Sequence, residues 1–147
     1  MIKDDLIDKY IKNNFFGKLI GMHFDPGSFR EQDGILEYYL TIGKEHLATP
    51  LAAHGGVICS LIDAAMGVAA LRAVSMENKA VSTVEYKLNF LAPAAINDSL
   101  VAKAKVEQKG RRILIVSCDV FCVNKENKLI AKALGTFNSY EAGQAGY

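Results

Sequence analysis

The chain has 147 residues, half of them hydrophobic and 22% charged, with a formal net charge of +1. That length suggests a single domain, residues 1–147, able to bury a core without covalent staples. A charge this close to zero excludes the basic field of a nucleic-acid binder. Cys59, Cys118 and Cys122 are an odd number without framework spacing, as expected of reduced thiols in a cytoplasmic protein.

At the N-terminus, Ile2, Leu6, Ile7, Tyr10, Ile11 and Phe15 recur at helical spacing among lysines and aspartates, which predicts an amphipathic surface helix from Ile2 to Phe15. Its early charges argue against a signal peptide or membrane anchor. A short strand is expected from Leu19 to Phe24, then a turn at Asp25-Pro26-Gly27. A second strand is expected over Asp33–Ile42, and Leu47–Ala53, with Pro50, reads as a loop.

The next stretch, HGGVICSLIDAAMGVAALRAV from His54 to Val74, opens on two glycines and continues as a helix from Gly56 to about Met76. Its residues are nearly all apolar or small, and its only full charges are Asp63 and Arg72. Those charges and the glycine-rich start make it a buried central helix rather than a membrane span. A buried charge costs several kcal/mol unless paired, so Asp63 needs a reason. It is either a structural carboxylate, paired with Arg72 or capping a backbone group, or a chemical one.

Everything after this helix has strand character. Ala80–Leu91 alternates, Pro93 and Asn97-Asp98 mark a turn, and Ser99–Gln108 alternates again. Gly110 turns the chain into Ile113–Val123, Asn124–Asn127 forms a hairpin, and Leu129–Ser139 completes the set. On one strand, Cys118 and Cys122 would share a face about 13 Å apart, too far for a disulfide or a common metal ion. His23 and His46 show no metal-ligand spacing, so no metal is expected. Consecutive short-looped strands make an antiparallel sheet, and a helix apolar nearly all round must be covered on most sides. The pattern is α+β, with a sheet curled around one long helix.

This order of elements resembles the hotdog fold. His54-Gly55-Gly56 followed by Leu61-Ile62-Asp63-Ala64-Ala65 resembles the signature of the phenylacetate-degradation (PaaI-like) acyl-CoA thioesterases. Val84–Ala94 is similar to that family's strand after the helix, and Lys109-Gly110-Arg111-Arg112 falls at its basic hairpin turn. The similarity runs from about Phe16 to Tyr140. It implies a homodimer that pairs into a tetramer, active sites at the dimer interface, and hydrolysis of an acyl thioester. Coenzyme A would be part of the substrate, with no separate cofactor, no nucleic acid and no membrane partner.

The residues suit that chemistry. Thioester hydrolysis needs a donor to the carbonyl oxygen and a base or nucleophile beside the carbonyl carbon. A helix start offers unpartnered N–H groups and the positive end of the dipole, so Gly55 or Gly56 fits the first role; the resemblance favours Gly55. Asp63 fits the second. Seven residues of helix is about 10 Å, so Asp63 and the glycines of one chain cannot share a carbonyl, whereas antiparallel helices across a dimer axis would bring them together. The resemblance further implies a positioning role for His54 and a water-orienting role for Thr83, a residue type common in strands for its shape alone. Lys109, Arg111 and Arg112 are either a solvated turn or a contact for the phosphates of coenzyme A. Related enzymes often carry Asn or Gln about six residues before the histidine, where this chain has Ala48. The competing expectations are a non-catalytic acyl-CoA-binding hotdog module and a hotdog dehydratase or hydratase. The motif of the latter is not found here.

Overall fold

The computed structural model describes residues 5–147. Two short helices, α1 (Asp5–Asn13) and α2 (Phe15–Ile20), lead into strands β1 (His23–Phe24) and β2 (Ile35–Thr41). A small hairpin, β3 (Leu47–Thr49) with β4 (Ala52–Ala53), precedes the long helix α3 (Gly55–Val74). Four long strands follow: β5 (Lys79–Phe90), β6 (Ser99–Lys109), β7 (Ile113–Cys122) and β8 (Lys128–Glu141). They form, with β1 and β2, one six-stranded antiparallel sheet in the order β1-β2-β6-β7-β8-β5.

The sheet curls around α3, the hotdog architecture expected from the sequence. Leu61, Ile62, Ala65, Met66, Val68 and Ala70 of α3 are fully buried against Leu36, Leu114, Val116, Val120 and Phe137 of the sheet. Gly55–Glu77 has the length and composition of a membrane span, but most of its apolar surface is covered by the sheet. A second, smaller core joins Leu6 and Ile7 of α1 to Leu71, Ala80 and Ala142, which fixes α1 over the C-terminal half of α3.

Two N-terminal expectations need correction. The helix does not run on to Phe15: it breaks at Asn14, whose Oδ1 accepts from Gly17 N–H at 3.0 Å and caps a second helix. Leu19 and Ile20 therefore belong to α2 rather than to a strand, and only His23–Phe24 pairs with β2. Gly21, at φ 80°, ends α2 in the left-handed conformation that glycine adopts without a Cβ clash. The predicted loop at Leu47–Ala53 contains the β3–β4 hairpin. Ile2 lies outside the described residues.

Strand β5 carries an irregularity that a simple alternation hides. Thr83 pairs with Phe137 and Glu85 with Thr136, so Val84 is an extra residue in the ladder, a β-bulge. Before the bulge, Val81 and Thr83 face the helix; after it, Tyr86, Leu88 and Phe90 do, opposite Gly135, Ala133 and Ala131. Glu85 points outward and accepts from Thr136 Oγ1 at 2.5 Å. Opposite Tyr86, a Cβ on Gly135 would stand 2.8 Å from Tyr86 Cβ and 3.2 Å from the Glu85 carbonyl, so glycine lets the two strands close around the bulge.

Candidate active site

The start of α3 is built by its histidine. His54 is the N-cap, in extended conformation, and its Nδ1 accepts from Gly56 N–H at 2.8 Å. In the neutral ring this places the proton on Nε2, which becomes a donor. A Cβ on Gly56 would lie 2.9 Å from Nδ1, so a side chain there displaces the cap. Val57 N–H is taken by the His54 carbonyl at 3.0 Å. Of the helix's opening donors, Gly55 N–H is left without a partner among the described residues, where the dipole is positive. Sequence spacing left Gly55 and Gly56 both open; the local hydrogen bonds separate them.

His54 is itself held by a residue that reads in sequence as a lone histidine. Its backbone N–H donates to the His46 carbonyl at 2.8 Å. The His46 ring is buried, with Nδ1 accepting from Gly43 N–H at 2.8 Å and Nε2 donating to the Ile20 carbonyl at 2.7 Å. His46 thus ties α2 and the β2–β3 connection to the start of α3.

Asp63 lies mid-helix, facing β5. Thr83 Oγ1 donates to its Oδ1 at 2.7 Å, leaving Oδ2 free among the described residues. Because Thr83 immediately precedes the bulge, the strand bends where the hydroxyl meets the helix. Arg72 is not the partner of Asp63. It sits about two and a half helical turns away, on the opposite face, with its guanidinium stacked 3.7 Å from the centre of the Phe29 ring. Ser60 Oγ bonds back to the Gly56 carbonyl at 2.7 Å, as helix hydroxyls commonly do.

Asp63 and Thr83 open onto a cavity of about 460 Å³, lined also by Tyr10, Asn14, Tyr86 and Tyr147. Gly55 opens onto a different depression of about 370 Å³, bounded by Ile58, Phe90 and Leu91. Within one chain the free N–H and the carboxylate therefore address separate spaces. Tyr86, not singled out from the sequence, donates to the Cys59 carbonyl at 3.4 Å; burial, then the Asp63 charge, raises its phenol above the ordinary value.

The basic turn stands at the other end of α3. Lys109 Nζ donates to the Ala73 carbonyl at 2.9 Å and pairs with Glu77, so it closes the helix C-terminus. Lys109 first, with Lys79, holds the exposed Glu77 carboxyl below its ordinary range. Arg111 and Arg112 are exposed, with no ion pair among the described residues. No three His, Cys, Asp or Glu side chains gather as a metal set among the described residues.

Comparison with known proteins follows the same lines. The family model of the thioesterase superfamily matches residues 52–128, from β4 through the start of β8. A putative esterase of Archaeoglobus fulgidus is 31% identical over 105 residues, 71% of this chain and 64% of that protein. The acyl-coenzyme A thioesterase THEM4 of Bos taurus is 29% identical over 118 residues, 80% of this chain and 46% of that one. The chain thus spans about half to two thirds of the length of these relatives. The PaaI protein of the E. coli phenylacetic acid degradation operon superposes with a TM-score of 0.77 over 90% of this chain and 89% of its own, at 21% identity, a likeness of fold.

Proposed function

The chain belongs to the thioesterase superfamily, and on that premise we propose that it hydrolyses an acyl-coenzyme A thioester to the free acid and coenzyme A. The observation that carries this reading is the Asp63–Thr83 pair at 2.7 Å, opening onto a cavity, with Asp63 on the same helix as a Gly55 N–H that has no partner among the described residues. The active unit is a homodimer, pairing further into a tetramer, in which Gly55 of one subunit faces Asp63 of the other. Support comes from the separate cavities of the two groups in one chain. It comes also from β5, a twelve-residue edge strand with Val84 and Phe90 exposed, and from the exposed Leu91 that follows it.

In this reading Gly55 N–H, positioned by His54 at the helix start, donates to the thioester oxygen and stabilises the charge that develops there. Gly56 fixes the close approach by holding the His54 ring. Asp63 Oδ2 removes a proton from a water aligned by Thr83 as that water's oxygen bonds to the carbonyl carbon. The tetrahedral species then collapses, the C–S bond breaks, and the proton returns to the departing thiolate. Direct attack by the carboxylate is the second route, and heavy-oxygen water separates them in a single turnover. Label in Asp63 identifies the carboxylate route, with water opening the mixed anhydride at the aspartyl carbon; label only in the released acid, with no acyl-enzyme trapped on quenching, identifies attack by water. The reaction itself is tested by following free-thiol release across short, medium, long and aromatic acyl-CoAs. Binding without release across the panel would favour a non-catalytic acyl-CoA module.

Arg111 and Arg112 supply positive charge for the nucleotide phosphates, while Lys109 orders their turn. Such contacts act equally in the ground and transition states, so they set KM rather than kcat. Replacing both arginines with Gln is expected to raise KM for acyl-CoA roughly two- to thirty-fold, as for two exposed charge contacts, with kcat little changed. The penalty should shrink at high salt and vanish for an acyl-pantetheine lacking the nucleotide. An equal rise for both substrates would assign the turn to packing instead.

A further inference from the structure

The cavity beside Asp63 has a polar end that the hydrolytic reaction does not use. Asn14 holds it together. The orientation of its amide is fixed, because Oδ1 accepts from Gly17 N–H at 3.0 Å. Nδ2 must then be the donor to both neighbouring phenols, to Tyr10 Oη at 3.2 Å and Tyr38 Oη at 3.5 Å. Both phenol oxygens are acceptors in this network, and each keeps its own proton. Among the described residues no group accepts the Tyr10 proton. Tyr10 and Asn14 line the cavity together with Asp63, Thr83 and Tyr147. The Tyr10 phenol is raised above its ordinary range, chiefly by burial and further by Tyr38, Asp63 and Tyr147, so it stays a neutral donor. Among the described residues no lysine or arginine lines this cavity.

We infer that Tyr10 is a specificity-determining residue whose hydroxyl donates to a neutral oxygen, as in a hydroxyl, ether or ketone, on the acyl group held in this cavity. The inference rests on the thioesterase reading, since it takes the acyl group to enter the cavity beside Asp63. An alkyl tail would leave the donor without an acceptor, and a buried donor left unpaired disfavours the complex. A terminal carboxylate would bring a negative charge into a space that holds Asp63 and no lysine or arginine among the described residues, a like-charge placement that opposes binding. The neutral oxygen is the tail chemistry that satisfies Tyr10 at no such cost.

The test compares ω-hydroxyacyl-CoAs, butanoyl to decanoyl, with plain acyl-CoAs one carbon longer, so that a hydroxyl replaces a methyl at equal length. Within the best-fitting length, wild type should favour the hydroxylated chain about ten-fold in kcat/KM, the order of one satisfied hydrogen bond. The matching ω-carboxyacyl-CoA should be poorer than both. Tyr10→Phe should remove the preference by lowering the hydroxylated substrate's kcat/KM while raising the plain chain's, since no donor is then left unpaired, a split that general damage to α1 would not produce. Equal rates on the two series in wild type would overturn the inference and leave the thioesterase reading standing. Should Tyr10→Phe fail to fold, the wild-type comparison still decides. If wild type hydrolyses neither series, calorimetry with the non-hydrolysable thioether analogues of the same chains decides the inference: tighter binding of the hydroxylated chain upholds it, and equal binding overturns it; the thioesterase reading fails only if the long and aromatic acyl-CoAs also go unhydrolysed.

Discussion

Asp63→Asn is expected to lower kcat on the best acyl-CoA on the order of 10²-fold or more, the usual consequence of removing a positioned base. The substitution changes little else. Asparagine matches aspartate in shape, and its carbonyl oxygen can still accept from Thr83 Oγ1, which now bonds Asp63 Oδ1 at 2.7 Å. Arg72 is stacked on Phe29 across the helix and loses no partner. Folding and assembly should therefore persist, and a thermal melt with sizing of the oligomer should match wild type. What asparagine cannot do is take a proton or attack a carbonyl carbon. Steady-state hydrolysis measured on the intact oligomer reads that loss directly. Near-normal turnover by this variant would remove Asp63 from the chemistry.

Mixing two inactive variants should restore activity. Gly55→Pro deletes the N–H that no described residue uses, at the first helical position, where proline costs no intrahelical bond and its Cβ, 3.2 Å from the exposed Phe90 ring, asks only that ring to shift. His54 before it is already extended, the conformation a residue preceding proline prefers. Asp63→Ala deletes the carboxylate. If each site takes its N–H from one subunit and its carboxylate from the other, a heterodimer holds one doubly damaged site and one intact site. Random exchange of equal amounts makes about half the dimers mixed, so roughly one quarter of the sites should work. Each parent alone stays inactive. Activity is followed while labelled subunits exchange; exchange without recovery would show that Gly55 and Asp63 do not meet across subunits.

Much of this architecture was legible in the residues because its signals are strong and local. An apolar helix carrying one acid, followed by four alternating strands, leaves few ways to bury the helix. His54, Gly55, Gly56 and Asp63 stood out because a helix start and a lone carboxylate are chemically unusual in an otherwise apolar run. The less legible features depend on partners distant in sequence. Asn14 looked like one more polar residue of an amphipathic helix, although Asn14-Phe15-Phe16-Gly17 contains a capping signal. Tyr10 occupied a core-facing position by spacing, and only the folded chain shows that it lines the cavity beside Asp63. His46 carried no motif because its partners, Gly43 and Ile20, lie on separate elements and offer only backbone atoms. The basic turn was visible as charge, but its division of labour was not. Lys109 closes the end of α3 through Ala73 and Glu77, which lie more than thirty residues earlier.

The bulge at Val84 separates two properties that usually change together when a chain loses a residue. Thr83 faces the helix, Glu85 faces away and Tyr86 faces the helix again. Removing Val84 would leave these three in perfect alternation, with every later side chain of the strand on its present side. An unbulged ladder is thus compatible with the same buried face, the same Gly135 opposite Tyr86 and the same central helix. The extra residue contributes curvature, and the curvature falls beside the hydroxyl that meets Asp63. In the language of insertions and deletions, Val84 is dispensable to the inside–outside code of the strand and specific to the direction in which Thr83 points. A β5 one residue shorter would keep the sides of this strand and lose the bend that this site uses.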